Sequence, residues 1–299
     1  MEFRNIWIAN PARLSTQNDQ LVIEQAEIFT VPIEDISSIL IESKQVTCTA
    51  GALSKLAVQG VTVFFCDQQH LPCCQILPID QFCRQRKLLL AQVNLNKPCQ
   101  KQLWQKIVVQ KIKNQAMCLK LAGRCGSEEL EKLSGKVLSG DSDNREAVAA
   151  ALYFPALFGS NFSRGSDLIE NAMLNYGYAI LRGAISRNLV VHGLEPCIGL
   201  HHRSELNNFN LADDLIEPFR PLVDLFTIKM ELLGKEQLTP DLKQKLFNLT
   251  DYLIMQAGKR YRVMTAVGRA ANSLANCISH ESAELELPEL IPLELHHYE

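Results

Sequence analysis

The sequence predicts an α+β protein in which a small N-terminal β-rich domain is followed by a larger all-helical domain. Up to about residue 80, short runs of β-branched and aromatic residues are separated by turn signals such as Asn10-Pro11. From about residue 85, apolar residues recur at the i, i+3, i+4 spacing of amphipathic helices. Pro78 lies at the change of pattern, and because proline cannot donate to a sheet ladder we expect the last strand to end there.

The N-terminal domain, residues 1–80, is expected to contain one helix among its strands. Thr49–Gln59 begins with a typical N-cap residue and is followed by Gly60, which favours a helix end. The residue types predict strands at Phe3–Ala9, Gln20–Glu24, Ile36–Glu42, Val61–Cys66 and Cys74–Leu77.

Residues 81–280 are expected to form the helical domain. Residues 281–299 contain two prolines and no lysine or arginine, which is typical of a loosely ordered tail. The periodicity predicts helices at 84–95, 98–122, 127–134, 144–157, 166–187, 211–232, 239–256 and 258–279.

Composition excludes several classes of protein. No run of about 18 apolar residues is present, so we expect no membrane span. The first residues do not have the pattern of a signal peptide, so a cytoplasmic location is expected. The ten cysteines form no CxxC pair, which favours reduced thiols over disulfides or a zinc site.

The net charge of −3 hides an uneven distribution. Residues 280–299 carry six glutamates, whereas residues 81–127 carry ten lysines and arginines and no acidic residue. Such a stretch is either a solvated helix face or a surface that follows the phosphates of a nucleic acid.

Three acidic or histidine-containing segments are candidates for chemistry. Glu146 follows Asp143 at capping-box spacing, so it is either a helix-start carboxylate or a metal ligand on the first turn of a helix. Of the adjacent residues His201 and His202, at most one is expected to be a ligand, because neighbouring side chains point in different directions.

Asp214 and Glu217 are three residues apart and should share a helix face, with Asn210 as a plausible N-cap. Pro218 either bends that helix or starts a new one. One histidine with two glutamates would supply nitrogen and oxygen ligands suited to Mg²⁺ or Mn²⁺.

Several segments resemble the CRISPR-associated adaptation integrase family, in its type II form. They occur in matching order over about residues 1–275, which makes the resemblance specific. The segments are RNIWIANPARLS at the N-terminus, VPIEDISSILIES, QGVTVFFCD, NREAV, LNYGYAILRGAI and GLHH…FNLADDLIEPFRPLVD.

This resemblance implies a small N-terminal β-sandwich, a helical domain and a metal site formed by Glu146, His202 and Glu217. The interval to the Asp214-Leu-Ile-Glu217 segment favours His202 over His201, and glutamate stands where many relatives have aspartate. It implies an enzyme that inserts short DNA fragments as new spacers into a CRISPR array, by attack of a 3′-hydroxyl on a phosphodiester. Double-stranded DNA, a homodimer and a small ferredoxin-fold adaptation protein are the implied partners.

Other residues are weaker candidates. Asp214, Asn175 and Tyr176 are expected to orient the ligands, although core packing is the alternative for the residues of the NYGY segment. Arg164 and Arg220 would contact phosphates or pair with carboxylates. DNA contacts are expected at Arg84, Arg86, Lys87 and Arg164.

Two other functions compete with integration. A DNA-binding scaffold without catalysis is one, but the presence of all three ligands argues against it. A metal-dependent hydrolase of small phosphoesters is the other, and the extended basic stretch argues against it because a small substrate needs no such surface.

Overall fold

The computed structural model describes residues 4–68, 72–76, 84–230 and 237–296. The chain divides into two compact units, one formed by residues 1–83 with 298–299 and the other by residues 84–297. Strands are concentrated in the first unit and helices in the second, so the predicted α+β class is confirmed. The expected strand end at Pro78 lies outside the described residues.

The first unit contains two four-stranded sheets. Each predicted strand is present, and three strands that the sequence did not suggest complete the sheets. One sheet has the order β1-β5-β7-β8, with strands Arg4–Ile8, Ile36–Ile41, Thr62–Cys66 and Pro72–Gln75. The other has the order β4-β3-β2-β6, with strands Ile28–Pro32, Gln20–Glu24, Arg13–Gln17 and Thr47–Cys48.

Both sheets contribute to one hydrophobic core. Ile8 and Ile39 from the first sheet, Leu14 and Leu21 from the second, and Leu56 from helix α1 belong to the same buried cluster. Helix α1 spans Ala50–Val58, and the Thr49 side chain caps it by accepting a hydrogen bond from the backbone N–H of Ala52.

The second unit is built around one long central helix, α3, at Lys97–Leu121. Asn96 caps its start by accepting from the N–H of Cys99, and Pro98 occupies the first turn, where its missing N–H has no cost. Helix α3 packs against helices α4, α5 and α8. The other helices of the unit are α2 Gln85–Val93, α4 Ser127–Ser134, α5 Arg145–Phe158, α6 Ile169–Val191, α7 Asn210–Leu215, α8 Arg220–Lys229, α9 Pro240–Phe247 and α10 Val263–His280.

The sequence predicts an all-helical second unit, but the structure contains a β-hairpin there. Leu253–Gln256 (β9) and Lys259–Arg262 (β10) form an antiparallel hairpin between α9 and α10, inside the segments predicted as helices 239–256 and 258–279. Ala257 and Gly258 connect the strands with φ angles of 49° and 73°. Positive φ at both residues is the conformation of a tight two-residue hairpin turn, which is incompatible with a helix at this point.

The acidic C-terminal segment differs from the loosely ordered tail that its composition predicts. Residues 281–296 run along the helical unit, with isolated β-bridges that join Met255 to Glu289 and Tyr252 to Leu295. Leu290 is 4% exposed. Composition misleads here because the leucines between the glutamates supply apolar surface that packs on the unit.

Among the described residues, no helix is both long enough and apolar enough to cross a membrane.

Gly177 allows helices α6 and α8 to approach closely. A Cβ atom at this position would lie 2.5 Å from Cγ1 of Val223. We therefore predict that Gly177→Ala lowers the free energy of unfolding by about 1–3 kcal/mol through overpacking, measured by denaturant unfolding.

A matched control is Gly165→Ala in the same unit, where no atom lies within 4 Å of the added Cβ. The double variant Gly177→Ala/Val223→Ala should recover part of the loss, because it removes the clashing methyl group. Equal effects of the two glycine substitutions would contradict this packing account.

Candidate catalytic site

Two of the predicted ligands meet at one lysine. Lys111 Nζ on α3 lies 2.6 Å from Oε1 of Glu146 on α5 and 2.5 Å from Oε2 of Glu217. The side chains of Lys111 and Glu217 are only 12% and 5% exposed. A buried ammonium between two carboxylates shows that both glutamates point to a location that favours positive charge.

The electrostatics of this cluster follow from burial and pairing. Burial acts to lower the pKa of Lys111, but the negative charges of Glu217 and Glu146 outweigh it, and the pKa lies above its usual value. Burial acts to raise the pKa of Glu217, but Lys111 and Arg220 outweigh it and hold that pKa below its usual value. Both groups are therefore charged at neutral pH.

Asp141, and not Glu146, caps the start of helix α5. The backbone N–H groups of Arg145 and Glu146 donate to the carboxylate of Asp141, at 2.8 and 3.1 Å. Asp143, which the sequence suggested as the cap, instead pairs with Arg145 at 2.6 Å. Asp141 thus performs the helix-capping role that was the alternative for Glu146, and the Glu146 carboxylate is directed to Lys111.

Glu217 lies in a 3₁₀ turn between α7 and α8. The turn spans Glu217–Phe219, so Pro218 interrupts the single helix that had been predicted at 211–232. Residues 231–236 of that predicted helix lie outside the described part of the chain. Arg220 Nε contacts Oε1 of Glu217 at 3.0 Å, which resolves the two alternatives for Arg220 in favour of carboxylate pairing.

Asp214 organises the loop that carries His202. Its fully buried carboxylate accepts hydrogen bonds from the backbone N–H groups of Leu200, His201 and His202, at 2.6, 3.0 and 3.1 Å. The same carboxylate contacts Nδ1 of His202 at 2.7 Å. This contact directs the other ring nitrogen, Nε2, away from Asp214, and a carboxylate on the non-ligating nitrogen is typical of metal-binding histidines.

His202 lies within the electrostatic reach of Glu217. The hydrogen bond to Asp214 is the main cause that raises the pKa of His202, and Glu217 also contributes to the rise. Gly199 permits the tight loop, because a Cβ there would lie 2.3 Å from the carbonyl oxygen of His202 and 2.9 Å from Oδ2 of Asp214.

Trp104 contacts the two adjacent histidines in different ways. It is buried in α3, and its ring stacks on His201 with the centroids 4.3 Å apart and the planes at 4°. The ring of His202 meets Trp104 edge-on, with the centroids 5.9 Å apart. His201 thus stacks on Trp104, whereas Asp214 holds the ring of His202 through Nδ1. The choice of His202 as the ligand remains a prediction.

Asn210 does not cap α7 from outside, as had been expected, because it is the first residue of that helix. Its side chain is buried and holds the preceding loop instead. The amide donates to the carbonyl oxygens of Cys197, Ser204 and Asn207, and it accepts from the N–H of Ser204.

In the NYGY segment, Tyr178 contacts a residue of the site, Arg220, whereas the sequence had suggested Asn175 and Tyr176. The Arg220 guanidinium lies 4.6 Å from the ring centroid of Tyr178. Asn175 is exposed and accepts from Arg164 at 3.0 Å, and Tyr176 is buried with Lys243 Nζ at 6.0 Å from its ring centroid. That Asn175 and Tyr176 orient the metal ligands remains a prediction.

The predicted DNA contacts lie in different surroundings. Arg84, Arg86 and Lys87 are all exposed, as contact with a phosphate backbone requires. Arg164 is half-buried, donates to the amide oxygen of Asn171 at 2.7 Å and lies above the ring of Tyr178. Their contact with DNA remains a prediction.

The predicted triad is brought together only in part. Among the described residues, no group of three histidine, cysteine, aspartate or glutamate side chains is close enough together to hold a metal ion. Glu146 and Glu217 nevertheless converge on one cation, and His202 lies near with its Nδ1 engaged. The donor set of two carboxylates and one imidazole fits Mg²⁺ or Mn²⁺, provided that the Lys111 ammonium moves aside.

Sequence reasoning missed several residues of this site. Lys111 was one of ten charges in the basic stretch, and nothing local marks it as the one that turns inward. Asp224 was also missed; its buried carboxylate accepts from the hydroxyl of Tyr153 at 2.8 Å and from that of Tyr178. A charged residue inside the apolar run Pro221–Phe226 was the available signal.

Asp224 should make stability depend on pH. Burial raises its pKa from 3.8 to about 6, against the opposing effect of the two tyrosine hydroxyls. A raised carboxyl pKa means that the favourable contribution is present below about pH 4 and is lost as the pH rises to about 6. Between pH 4.5 and 7, we predict that Asp224→Asn gains about 2 kcal/mol in unfolding free energy relative to the wild type.

The measurement is urea unfolding of both proteins at four or five pH values in this range. Asp241→Asn, on the exposed surface of α9, is the matched control and should run parallel to the wild type. A constant difference between Asp224→Asn and the wild type would show that Asp224 does not titrate in this range.

The sequence has clear relatives. The profile of the family described as "CRISPR associated protein Cas1" matches residues 6–159 and 163–268. The CRISPR-associated endonuclease Cas1 of Neisseria meningitidis serogroup C (strain 8013) is 46% identical over 304 aligned positions, which cover 100% of both chains.

Solved structures share the fold. A casposase bound to integration product has a TM-score of 0.75 at 20% identity, with 95% of this chain and 92% of that chain covered. A chain of a Cas6-RT-Cas1–Cas2 complex has a TM-score of 0.70 at 18% identity, with 95% of this chain and 36% of that chain covered. The match to the family profile and the full-length 46% identity to the Neisseria protein show that this chain belongs to the CRISPR-associated Cas1 family.

Proposed function

We propose that this chain is a metal-dependent DNA integrase and endonuclease, which inserts short DNA fragments as new spacers into a CRISPR array. The observation that carries the proposal is the convergence of Glu146 and Glu217 on one buried cation beside His202. The names of the relatives support it, because one is an endonuclease and a structural neighbour was solved with an integration product.

Glu146, His202 and Glu217 are the proposed ligands. A Mg²⁺ or Mn²⁺ ion held by them would supply charge neutralisation at the phosphate and would activate a 3′-hydroxyl or a water molecule. Asp214 holds the His202 ring through Nδ1, and Arg220 holds one oxygen of Glu217. In the reaction, the 3′-oxygen of the fragment forms a bond to phosphorus, and the 3′-oxygen of the repeat strand leaves and takes up a proton.

Exposed cations near the start of the helical unit are the proposed DNA surface. Arg84, Arg86 and Lys87 are exposed at the start of α2, and the exposed Lys106 and Lys113 follow on α3. No acidic residue lies in residues 81–127, so none of these charges has a carboxylate close by in sequence. Phosphate contacts of this kind position DNA and carry little sequence preference.

We propose further that the protein acts in the cytoplasm as a homodimer with a small ferredoxin-fold adaptation protein. The structural neighbour that is a complex with Cas2 supports the second partner.

Loss of His202 should abolish integration. With Mn²⁺, the small partner protein, a supercoiled plasmid that carries the repeat array and a fragment with 3′-hydroxyl ends, His202→Ala should lower the integration rate more than about 100-fold. This exceeds the roughly 10–100-fold effect expected when only a residue behind a ligand is changed. Glu146→Gln and Glu217→Gln should give losses of the same order.

The matched control is His201→Phe, which keeps a ring to stack on Trp104 but removes both nitrogens. It should integrate within a few-fold of the wild type. If His202→Ala integrates as well as the wild type, the proposed ligand set is wrong.

DNA binding should depend steeply on salt through the exposed cations. If Arg84, Arg86 and Lys87 each contact a phosphate, their joint substitution by alanine reduces the slope of log K against log salt by about 2–3. Fluorescence anisotropy with a labelled duplex between about 50 and 200 mM salt measures this slope.

The control is Lys132→Gln, an exposed lysine of α4 that has Glu128, Glu129 and Glu131 close by in sequence. Its slope should equal that of the wild type. An unchanged slope in the triple variant would place the DNA on another surface.

A further inference from the structure

The buried side chain of Asn114 connects the C-terminal segment to the turn that carries Glu217. Asn114 lies on α3 and is 2% exposed. Its amide group donates to the carbonyl oxygens of Pro218 at 2.7 Å and Pro288 at 2.9 Å. Its amide oxygen accepts from the backbone N–H of Leu290 at 3.0 Å and from the Gln110 side chain at 2.9 Å.

These four hydrogen bonds use both donor hydrogens and both lone pairs of the amide. If the C-terminal segment leaves, one N–H and one lone pair of Asn114 lose their partners in a buried location. An unsatisfied buried polar group is costly, so Asn114 would then reorganise rather than stay in place.

The Pro218 bond acts directly on the candidate site. Pro218 follows Glu217 in the 3₁₀ turn, and its carbonyl is held by α3 through Asn114. One turn earlier on the same helix, Lys111 holds the Glu217 carboxylate. Helix α3 therefore holds the side chain of Glu217 and the carbonyl of the next residue, and the carbonyl contact is the one shared with the C-terminal segment.

The C-terminal segment is held by bonds of its own. Glu289 and Met255 exchange two backbone hydrogen bonds, of 2.7 and 3.1 Å, and the Leu253 N–H donates to the carbonyl of Glu294 at 2.9 Å. Glu286 and Glu294 pair with Arg269 and Arg260. The segment thus adds to the β9–β10 hairpin along a defined path that brings Pro288 and Leu290 to Asn114.

We propose that Asn114 is a positioning residue that couples docking of the acidic C-terminal segment to the placement of Glu217. The segment is then a structural part of the site, although its sequence contains none of the ligands. The coupling itself stands on the hydrogen bonds above, whereas its consequence for metal binding rests on the function proposed in the preceding section.

The test uses the full chain with three substitutions at Leu290 and Asn114 and one control substitution. Leu290→Asp should undock the segment by burying a charge, and Asn114→Asp should lose both donated bonds while it keeps the size of the side chain. Leu290→Ala is a milder version in case either protein folds poorly. Glu289→Gln, which changes an exposed side chain of the same segment, is the matched control.

Hydrogen–deuterium exchange of the chelator-treated proteins is the first readout. The N–H groups of Phe219 and Arg220 bond to the carbonyl of Ile216, and we expect Leu290→Asp and Asn114→Asp to exchange these amides at least about 10-fold faster. Amides of helix α4, in the same unit, should keep their wild-type rates, which separates local coupling from general destabilisation.

Calorimetric titration with Mn²⁺ alone is the second readout. Both variants should bind Mn²⁺ about 10–100-fold more weakly, as expected when a residue behind a ligand is changed, and Glu289→Gln should bind as the wild type does. Wild-type exchange of residues 216–222 in every Leu290 and Asn114 variant overturns the proposal. If exchange rises but Glu217→Gln binds Mn²⁺ as well as the wild type, the coupling stands and the proposed metal site fails.

Discussion

The contact of the Lys111 ammonium with Glu146 and Glu217 is the interaction on which the candidate site depends. It joins α3, α5 and the turn before α8, which are far apart in sequence. Two carboxylates directed to one buried location would repel each other, and the lysine offsets that repulsion. Removal of the lysine would leave Arg220 to compensate the buried Glu217 and would take from Glu146 its ion-pair partner, which is destabilising.

The same arrangement would allow the proposed metal site to fold before a metal ion binds. A buried cluster of ligands with like charge opposes folding, whereas a cluster that contains its own cation does not. Under the proposed function, Lys111 and a divalent ion would be alternatives for the same carboxylates. His202 is positioned independently of them, because Asp214 and three backbone N–H groups hold its loop.

Periodicity was sufficient to predict most helices and five of the strands, but it failed where local pattern and tertiary structure compete. The pattern predicts helix at the β9–β10 hairpin because Leu253–Met255 is a short apolar run, which fits either structure. Ala257-Gly258 was the turn signal that could have corrected it. The C-terminal segment was misjudged from its glutamates, although its buried Leu290 decides its placement.

Some residues of the candidate site could also be predicted from the sequence, and others could not. The residues alone left His201 and His202 as alternatives. Both the choice of His202 and the link between Glu146 and Glu217 needed the family resemblance. Lys111 could not be recognised, because its inward direction depends on partners 35 and 106 positions away. The cap at Asp141 was hidden by its positive φ of 51°, which bends the chain back onto the start of α5.

If Lys111 and a divalent ion compete for the same two carboxylates, the shift in Tm that Mn²⁺ induces should depend on Lys111. Lys111→Met should melt below the wild type in the presence of chelator, and Mn²⁺ should raise its Tm more than it raises that of the wild type. Glu217→Gln should show a smaller rise than the wild type. A rise for Lys111→Met that is no larger than that for Glu217→Gln would contradict the account.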